Sequence, residues 1–137
     1  MALICDTGPL YAALDRSDAD HHVCAALIAE ASEPIAVPAP VVVELEWLAS
    51  SRVDPRAFLA FLADVEAHRV RVVELERPDY VRIGQLLERY IDLPLGFVDA
   101  AVLAVVERFR ERRLVTLDHR HFSVVRPRHV ASLELLP

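Results

Sequence analysis

Leu3-Ile4-Cys5-Asp6-Thr7-Gly8-Pro9-Leu10 opens with three apolar residues that run directly into an aspartate. A short apolar run of this kind is typical of a strand that is buried on both faces of a parallel sheet. Similar runs occur at residues 35–37, 70–75 and 114–117, and they predict three further buried strands. Residues 132–135 are a fifth candidate, and their charged neighbours predict an edge strand.

Longer segments with helical spacing separate these runs. The predicted helices cover residues 20–31, 41–50, 56–67, 77–90 and 97–112. The last of them is apolar nearly all round its first three turns, so we expect it to be the most buried helix. Strands that alternate with helices predict an α/β fold, a three-layer α/β/α domain with a central, mainly parallel sheet. At 137 residues, we expect a single domain over residues 1–137.

Composition excludes several classes of protein. All fifteen basic residues are arginine, so any mechanism that needs a catalytic lysine is excluded, including the phosphate-binding P-loop and Schiff-base chemistry. The same absence counts against a phosphoacceptor signalling domain. No apolar run reaches the roughly 18 to 20 residues of a membrane span, and no basic leader precedes the first one. With Cys5 and Cys24 both in apolar surroundings, we expect free thiols and a cytoplasmic location.

Four acidic residues follow or interrupt apolar sequence. Asp6 and Asp118 each come directly after a predicted strand. Glu44 lies in an otherwise apolar helix start, where an unpaired carboxylate is costly to bury, and Asp99 lies near the first turn of the most apolar helix. Taken singly, the aspartates are also explained as turn or helix caps, and Glu44 as a solvent-facing residue.

Taken together, these carboxylates indicate a metal site. In α/β folds ligands bind beyond the carboxyl ends of the strands, near a switch in strand order. Four acids that converge there repel one another unless protons or cations offset their charge. Oxygen ligands suit Mg²⁺ or Mn²⁺, which can activate water and stabilise the oxygens of a phosphodiester during hydrolysis. The pattern therefore favours a metal-dependent nuclease.

Ordered motifs along almost the whole chain resemble those of PIN-domain toxins of the VapC type. The motifs are Asp6-Thr7-Gly8-Pro9-Leu10, Val43-Glu44-Leu45, Leu93-Pro94-Leu95-Gly96-Phe97-Val98-Asp99-Ala100-Ala101 and Thr116-Leu117-Asp118-His119-Arg120-His121-Phe122. One departure is Gly8, where many relatives have serine, so that any hydroxyl role there passes to Thr7.

This resemblance implies a fold, an activity and partners. It implies a PIN-like domain whose acidic quartet of Asp6, Glu44, Asp99 and Asp118 binds Mg²⁺ or Mn²⁺ and supports endoribonuclease cleavage. It further implies the toxin of a type II toxin-antitoxin system, usually a homodimer. The expected partners are RNA and a VapB-like antitoxin, which occupies a groove between the helices that carry Trp47 and Phe58 in this chain.

Residues beside the quartet have weaker signals. Thr7 and Thr116 adjoin the strand-end aspartates and are candidates to orient a carboxylate or a metal-bound water, with local turn bonding as the alternative. Glu46 competes with Glu44 as the acid of its helix. Asp92 fits the family pattern as a candidate to contact metal or substrate, and a helix-end or loop role is the favoured alternative. His119 and His121 are expected at the surface, because a zinc site brings further histidine or cysteine ligands.

Basic residues collect late in the chain. Arg108, Arg110, Arg112 and Arg113 end the last long predicted helix, where cations complement the helix dipole. Residues 126–129 form a second basic cluster, which is either a solvated face or a binding surface for RNA or an acidic partner. The functions that remain open beside the ribonuclease are a catalytically silent PIN-like binding module and a metal-dependent nuclease acting on DNA.

Overall fold

Five parallel strands form one sheet at the centre of the protein. The computed structural model describes residues 1–137, and its strands are β1 Leu3–Cys5, β2 Ile35–Pro38, β3 Val70–Val73, β4 Arg113–Val115 and β5 Glu134–Leu136. Their order across the sheet is β3-β2-β1-β4-β5, and all neighbours are parallel. The prediction of a parallel sheet with the last strand at one edge is therefore confirmed.

Seven helices flank this sheet and complete the α/β/α architecture. They are α1 Thr7–Leu14, α2 His21–Glu30, α3 Ala39–Arg52, α4 Pro55–Glu66, α5 Arg77–Arg89, α6 Phe97–Phe109 and α7 His119–Val124. The five predicted helices are present. The predicted cap of α4 is also present, because the Asp54 side chain accepts a hydrogen bond from the Arg56 backbone N–H at 2.7 Å. None of the helices is long and apolar enough to cross a bilayer.

Two helices and several boundaries differ from the prediction. Sequence analysis missed α1 and α7, since α1 follows β1 after a single residue and Gly8-Pro9 is typical of a turn. The third and fourth strands are shorter than predicted, so Asp118 lies three residues beyond β4 rather than directly after it. The helix predicted for residues 97–112 ends at Phe109, because Arg110 adopts a left-handed conformation with φ of 56°.

The core is built around α6. Its residues 100–106 are all buried, which confirms it as the most buried helix. Full burial of a single valine or leucine side chain contributes about 1.5–3 kcal/mol, so this helix is held firmly in place. Cys5 and Cys24 are buried and unpaired, as expected.

The switch in strand order lies between β1 and β4. β1 is the central strand of the sheet, with β2 on one side and β4 on the other. The Asp6 backbone N–H donates a hydrogen bond to the Val115 carbonyl at 2.9 Å, so the chain stays paired just beyond both strands. Since α3 begins directly after β2, its second turn, with Glu44, lies over the same edge of the sheet.

Candidate active site at the carboxyl edge of the sheet

Asp6 is the most buried of the four predicted acids. Its side chain is 6% exposed, and its Oδ2 accepts a hydrogen bond of 2.9 Å from the hydroxyl of Thr116. The same Thr116 oxygen accepts the backbone N–H of Asp118 at 3.0 Å. A single fully buried threonine therefore ties the acid that follows β1 to the loop that follows β4.

Asp99 lies in the first turn of α6, where the unpaired N–H groups and the helix dipole favour a negative charge. Its Oδ2 accepts the backbone N–H of Gly96 at 3.3 Å, so Asp99 closes the start of its own helix. The side chain is half-buried, and its other carboxylate oxygen is free to bind a ligand. Helix capping and a place in the site are thus compatible for this residue.

Asp118 is held from two directions by one histidine. Its Oδ1 accepts the backbone N–H of His121 at 3.0 Å and caps α7, while its Oδ2 lies 2.6 Å from Nδ1 of the His121 ring. The expectation of a surface histidine is therefore wrong for His121. The signal that identifies it is its position three residues after Asp118 at a helix start, where both groups fall on one face.

The ring of His121 links Asp118 to the loop before α6. Its Nε2 lies 3.2 Å from the Leu93 carbonyl, so both ring nitrogens face hydrogen-bond acceptors. The bond to Asp118 raises the pKa of His121, and two acceptors are best satisfied by a ring that donates from both nitrogens. In that protonated form, His121 is a cationic partner of Asp118.

Potential ligand atoms of Asp99, Asp118 and His121 all lie within 4.8 Å of one another. Because the nitrogens of His121 are engaged, the two carboxylates are the better cation ligands of this cluster. Glu44 is half-buried on α3, and its charge contributes to the raised pKa of both Asp6 and Asp99. Glu46 is exposed and accepts a hydrogen bond from Ser50 instead.

Burial and the charges of neighbouring acids raise the pKa of Asp6 and of Asp99. Burial raises the pKa of Asp6 to about 6, against the lowering effect of hydrogen bonds from Thr7 and Thr116, and the charges of Asp99 and Glu44 add to the rise. Burial also raises the pKa of Asp99, with a further contribution from Asp118. A cation would remove both the repulsion and part of the cost of burial.

Thr7 carries a buried hydroxyl that has no hydrogen-bond partner. Its side chain is 3% exposed and follows Asp6 in the chain. Buried polar atoms in native proteins are almost always paired, so this oxygen is positioned to accept or donate a bond to a group bound at the site. Asp92, by contrast, is exposed in the loop between α5 and α6 and makes no hydrogen bond to the acids.

Known proteins with similar sequences and folds include several toxins. Ribonuclease VapC26 of Mycobacterium tuberculosis is 31% identical over 125 residues, which cover 91% of this chain and 93% of that protein. The crystal structure of VapC20 from the same organism, described as a sarcin-ricin loop cleaving toxin, shares the fold with a TM-score of 0.82. It is 23% identical and covers 93% of this chain and 98% of its own.

A third similarity is to VapBC2 of Rickettsia felis, solved with a DNA fragment from its promoter. It has a TM-score of 0.72 at 18% identity and covers the whole of both chains. The family model of the PIN domain matches residues 3–126, which include all four predicted acids. The chain therefore belongs to the PIN domain family, as a VapC-type member.

Proposed function

We propose that this protein is the toxin of a type II toxin-antitoxin system, an endoribonuclease that hydrolyses RNA with the help of Mg²⁺ or Mn²⁺. The observation that supports the proposal is the acidic cluster at the carboxyl edge of the sheet, where ligand atoms of Asp99 and Asp118 lie within 4.8 Å and the charges of Asp99 and Glu44 act on the buried Asp6. The VapC relatives make RNA the expected substrate and a VapB-like antitoxin the expected inhibitor.

The donor set fits a hard divalent cation. Asp99 and Asp118 would hold the ion, Glu44 and Asp6 would complete its carboxylate ligands, and the unpaired Thr7 hydroxyl would meet a water beside it. When bound, such an ion polarises the phosphodiester and makes a neighbouring water easier to deprotonate.

The chain's own residues position the acids and move a proton. Thr116 fixes the orientation of Asp6, and the imidazolium of His121 fixes that of Asp118. One of the four carboxylates would accept the proton of the attacking water. Water attacks phosphorus, the bond from phosphorus to the 3′ oxygen breaks, and that oxygen takes up a proton. The products carry 5′-phosphate and 3′-hydroxyl ends.

Protein partners are expected beside the site. Val43, Trp47, Tyr80 and Phe97 are exposed and line an apolar groove of about 540 Å³ that also includes Glu44. An exposed apolar groove supports an interface with protein. We propose that residues 1–137 act as one domain in a cytoplasmic homodimer, and that the antitoxin closes access to the acids.

Cleavage by purified, antitoxin-free protein tests the proposal. We would incubate structured RNAs, including a sarcin-ricin loop hairpin, with Mg²⁺, Mn²⁺ or chelator, alongside the Asp99→Asn variant and DNA of the same sequence. We expect metal-dependent cutting of RNA that the variant lacks. No cutting of any RNA, together with no binding of either metal, would support the silent binding module, and cutting of DNA alone would support a deoxyribonuclease.

A further inference from the structure

Charge is distributed very unevenly along this acidic chain. Residues 108–137 hold seven arginines against three carboxylates, whereas residues 1–107 hold eight arginines against eighteen. The net charge of -6 therefore conceals a basic C-terminal segment. An RNA that approaches four clustered acids is repelled by them, so a nearby basic surface is the place to look for compensating attraction.

Within this basic segment, residues 118–128 run from the acidic site along α5. His121 reaches the Leu93 carbonyl just beyond the end of α5. Further along, the Arg126 N–H donates to the hydroxyl of Tyr90 at 2.9 Å, and the Arg128 guanidinium donates to Gln85. Tyr90 and Gln85 are five residues apart, about 7–8 Å along a helix, so successive arginines are spaced along one line.

Arginines along this line are exposed and lack acidic partners. Arg120, Arg126, Arg128 and Arg110 are all exposed, and none of their guanidinium groups has a carboxylate oxygen within 4.0 Å. We call these four residues the arginine track. By contrast, Arg82, Arg108 and Arg113 of the same region are paired with acids.

The end of the track that lies away from the acidic site borders a cavity of about 310 Å³. Arg110 and Arg128 line it together with Arg82 and Arg108. Two acids, Asp79 and Glu107, also lie in its wall. Both oxygens of Glu107 accept bonds of 2.8 Å from Arg82, and Asp79 is paired with Arg108, so both charges are offset within the protein. The exposed guanidinium groups are therefore available to an external anion.

We propose that the arginine track binds the phosphodiester backbone of the RNA substrate on one side of the cleaved bond. The proposal rests on the ribonuclease function, and it adds where the RNA beyond the cleaved bond lies on the protein. Guanidinium groups suit phosphate because they donate in a planar fork and stay charged. RNA is favoured over an acidic protein segment because the track is continuous with the acidic site through α7, and a cleaved strand must extend from that site.

The test compares two triple variants on two substrates. Arg110→Gln, Arg126→Gln and Arg128→Gln are combined to remove three charges of the track. The matched control combines Arg16→Gln, Arg56→Gln and Arg77→Gln, which are exposed, unpaired arginines elsewhere. One RNA is a short oligonucleotide that spans only the cleavage site, and the other extends the same site on both sides.

We expect the track variant to raise KM for the extended RNA with little change in kcat, and to leave the short RNA unaffected. The slope of log KM against log salt concentration should fall by about 0.7 for each arginine removed, or about 2 in all. The control variant should match the wild type. An unchanged KM and salt slope on the extended RNA, or an equal loss on both RNAs, would overturn the proposal.

Binding distinguishes failure of the track from failure of the ribonuclease function. Fluorescence anisotropy with the extended RNA in chelator needs no cleavage. Weaker, less salt-dependent binding by the track variant supports the track even if the wild type cuts nothing. Unchanged RNA binding with lost binding of polyglutamate would overturn the RNA site and indicate an acidic protein partner.

Discussion

The Thr116 hydroxyl donates a 2.9 Å hydrogen bond to Oδ2 of Asp6, a residue 110 positions away in the chain. The bond crosses from the end of one strand to the end of its neighbour, and Thr116 also accepts the N–H of Asp118. It therefore fixes the relative positions of two acids that the chain keeps far apart.

Thr116→Val keeps the shape of this buried side chain and removes both hydrogen bonds. We expect metal affinity and kcat to fall about 10–100-fold, the usual cost of losing a residue that orients a ligand. Leaving the Asp118 N–H unpaired should also cost about 1–3 kcal/mol of unfolding free energy. Thr116→Ser retains the hydroxyl and should restore metal affinity, measured by calorimetry. Equal metal affinity in the valine variant would contradict this role.

Stability without metal should depend on pH through Asp6. Its pKa is about 6 in the folded protein, against an ordinary value of 3.8. Between about pH 4 and pH 6 the folded state keeps a proton that the unfolded chain has lost, so stability falls as pH rises and levels off above 6. The fall is roughly 3 kcal/mol.

Urea unfolding in chelator across that range measures the effect, with Asp6→Asn as the reference. The variant carries no titrating group at this position, so its stability should fall less between pH 4 and pH 6 and exceed that of the wild type at pH 7. The raised pKa of His121 acts in both proteins and cancels in the difference. Parallel curves for the two proteins would rule out a perturbed Asp6.

Asp99→Asn keeps the size of the side chain and removes the charge at the start of α6. We expect cleavage to fall by well over 100-fold, more than the loss of an orienting residue causes. The fold should persist, since an amide oxygen can still accept the Gly96 N–H. Asp92→Asn, in the exposed loop nearby, is the control and should cut RNA normally. Equal activity of the two variants would remove Asp99 from the site.

Glu44 and Glu46 offer a second matched pair on α3. Glu44→Gln should weaken metal binding and cleavage, because the charge of Glu44 acts on both Asp6 and Asp99. Glu46→Gln should leave both unchanged, since Glu46 is exposed and bonded to Ser50. Calorimetric titration with Mn²⁺ makes the comparison directly. The reverse order of effects would assign the site to Glu46.

Divalent cations should stabilise the folded protein. A ligand present at 100 times its Kd adds about 2.7 kcal/mol to the unfolding free energy. We expect Mg²⁺ or Mn²⁺ to raise the Tm at pH 7, and to raise it less at pH 5, where Asp6 holds its proton. Differential scanning calorimetry of the wild type and Asp99→Asn measures both effects. An identical rise in the variant would place the ion elsewhere.

The sequence by itself determined the α/β class and the parallel sheet, and it supplied the candidate residues of the acidic group. Buried strands are read from apolar runs such as Leu3–Cys5, and a buried helix from residues that are apolar all round, because burial imposes those patterns locally. The choice of Asp6, Asp99 and Asp118 followed from their places at the ends or starts of such elements.

Only the tertiary structure decided which groups meet. It brought Thr116 onto Asp6, left Glu44 half-buried but Glu46 exposed, and made His121 the partner of Asp118. It also lined up exposed arginines along α5. Contacts such as these depend on strand order and on how helices pack, and residues far apart in the chain leave no local periodicity by which to recognise them.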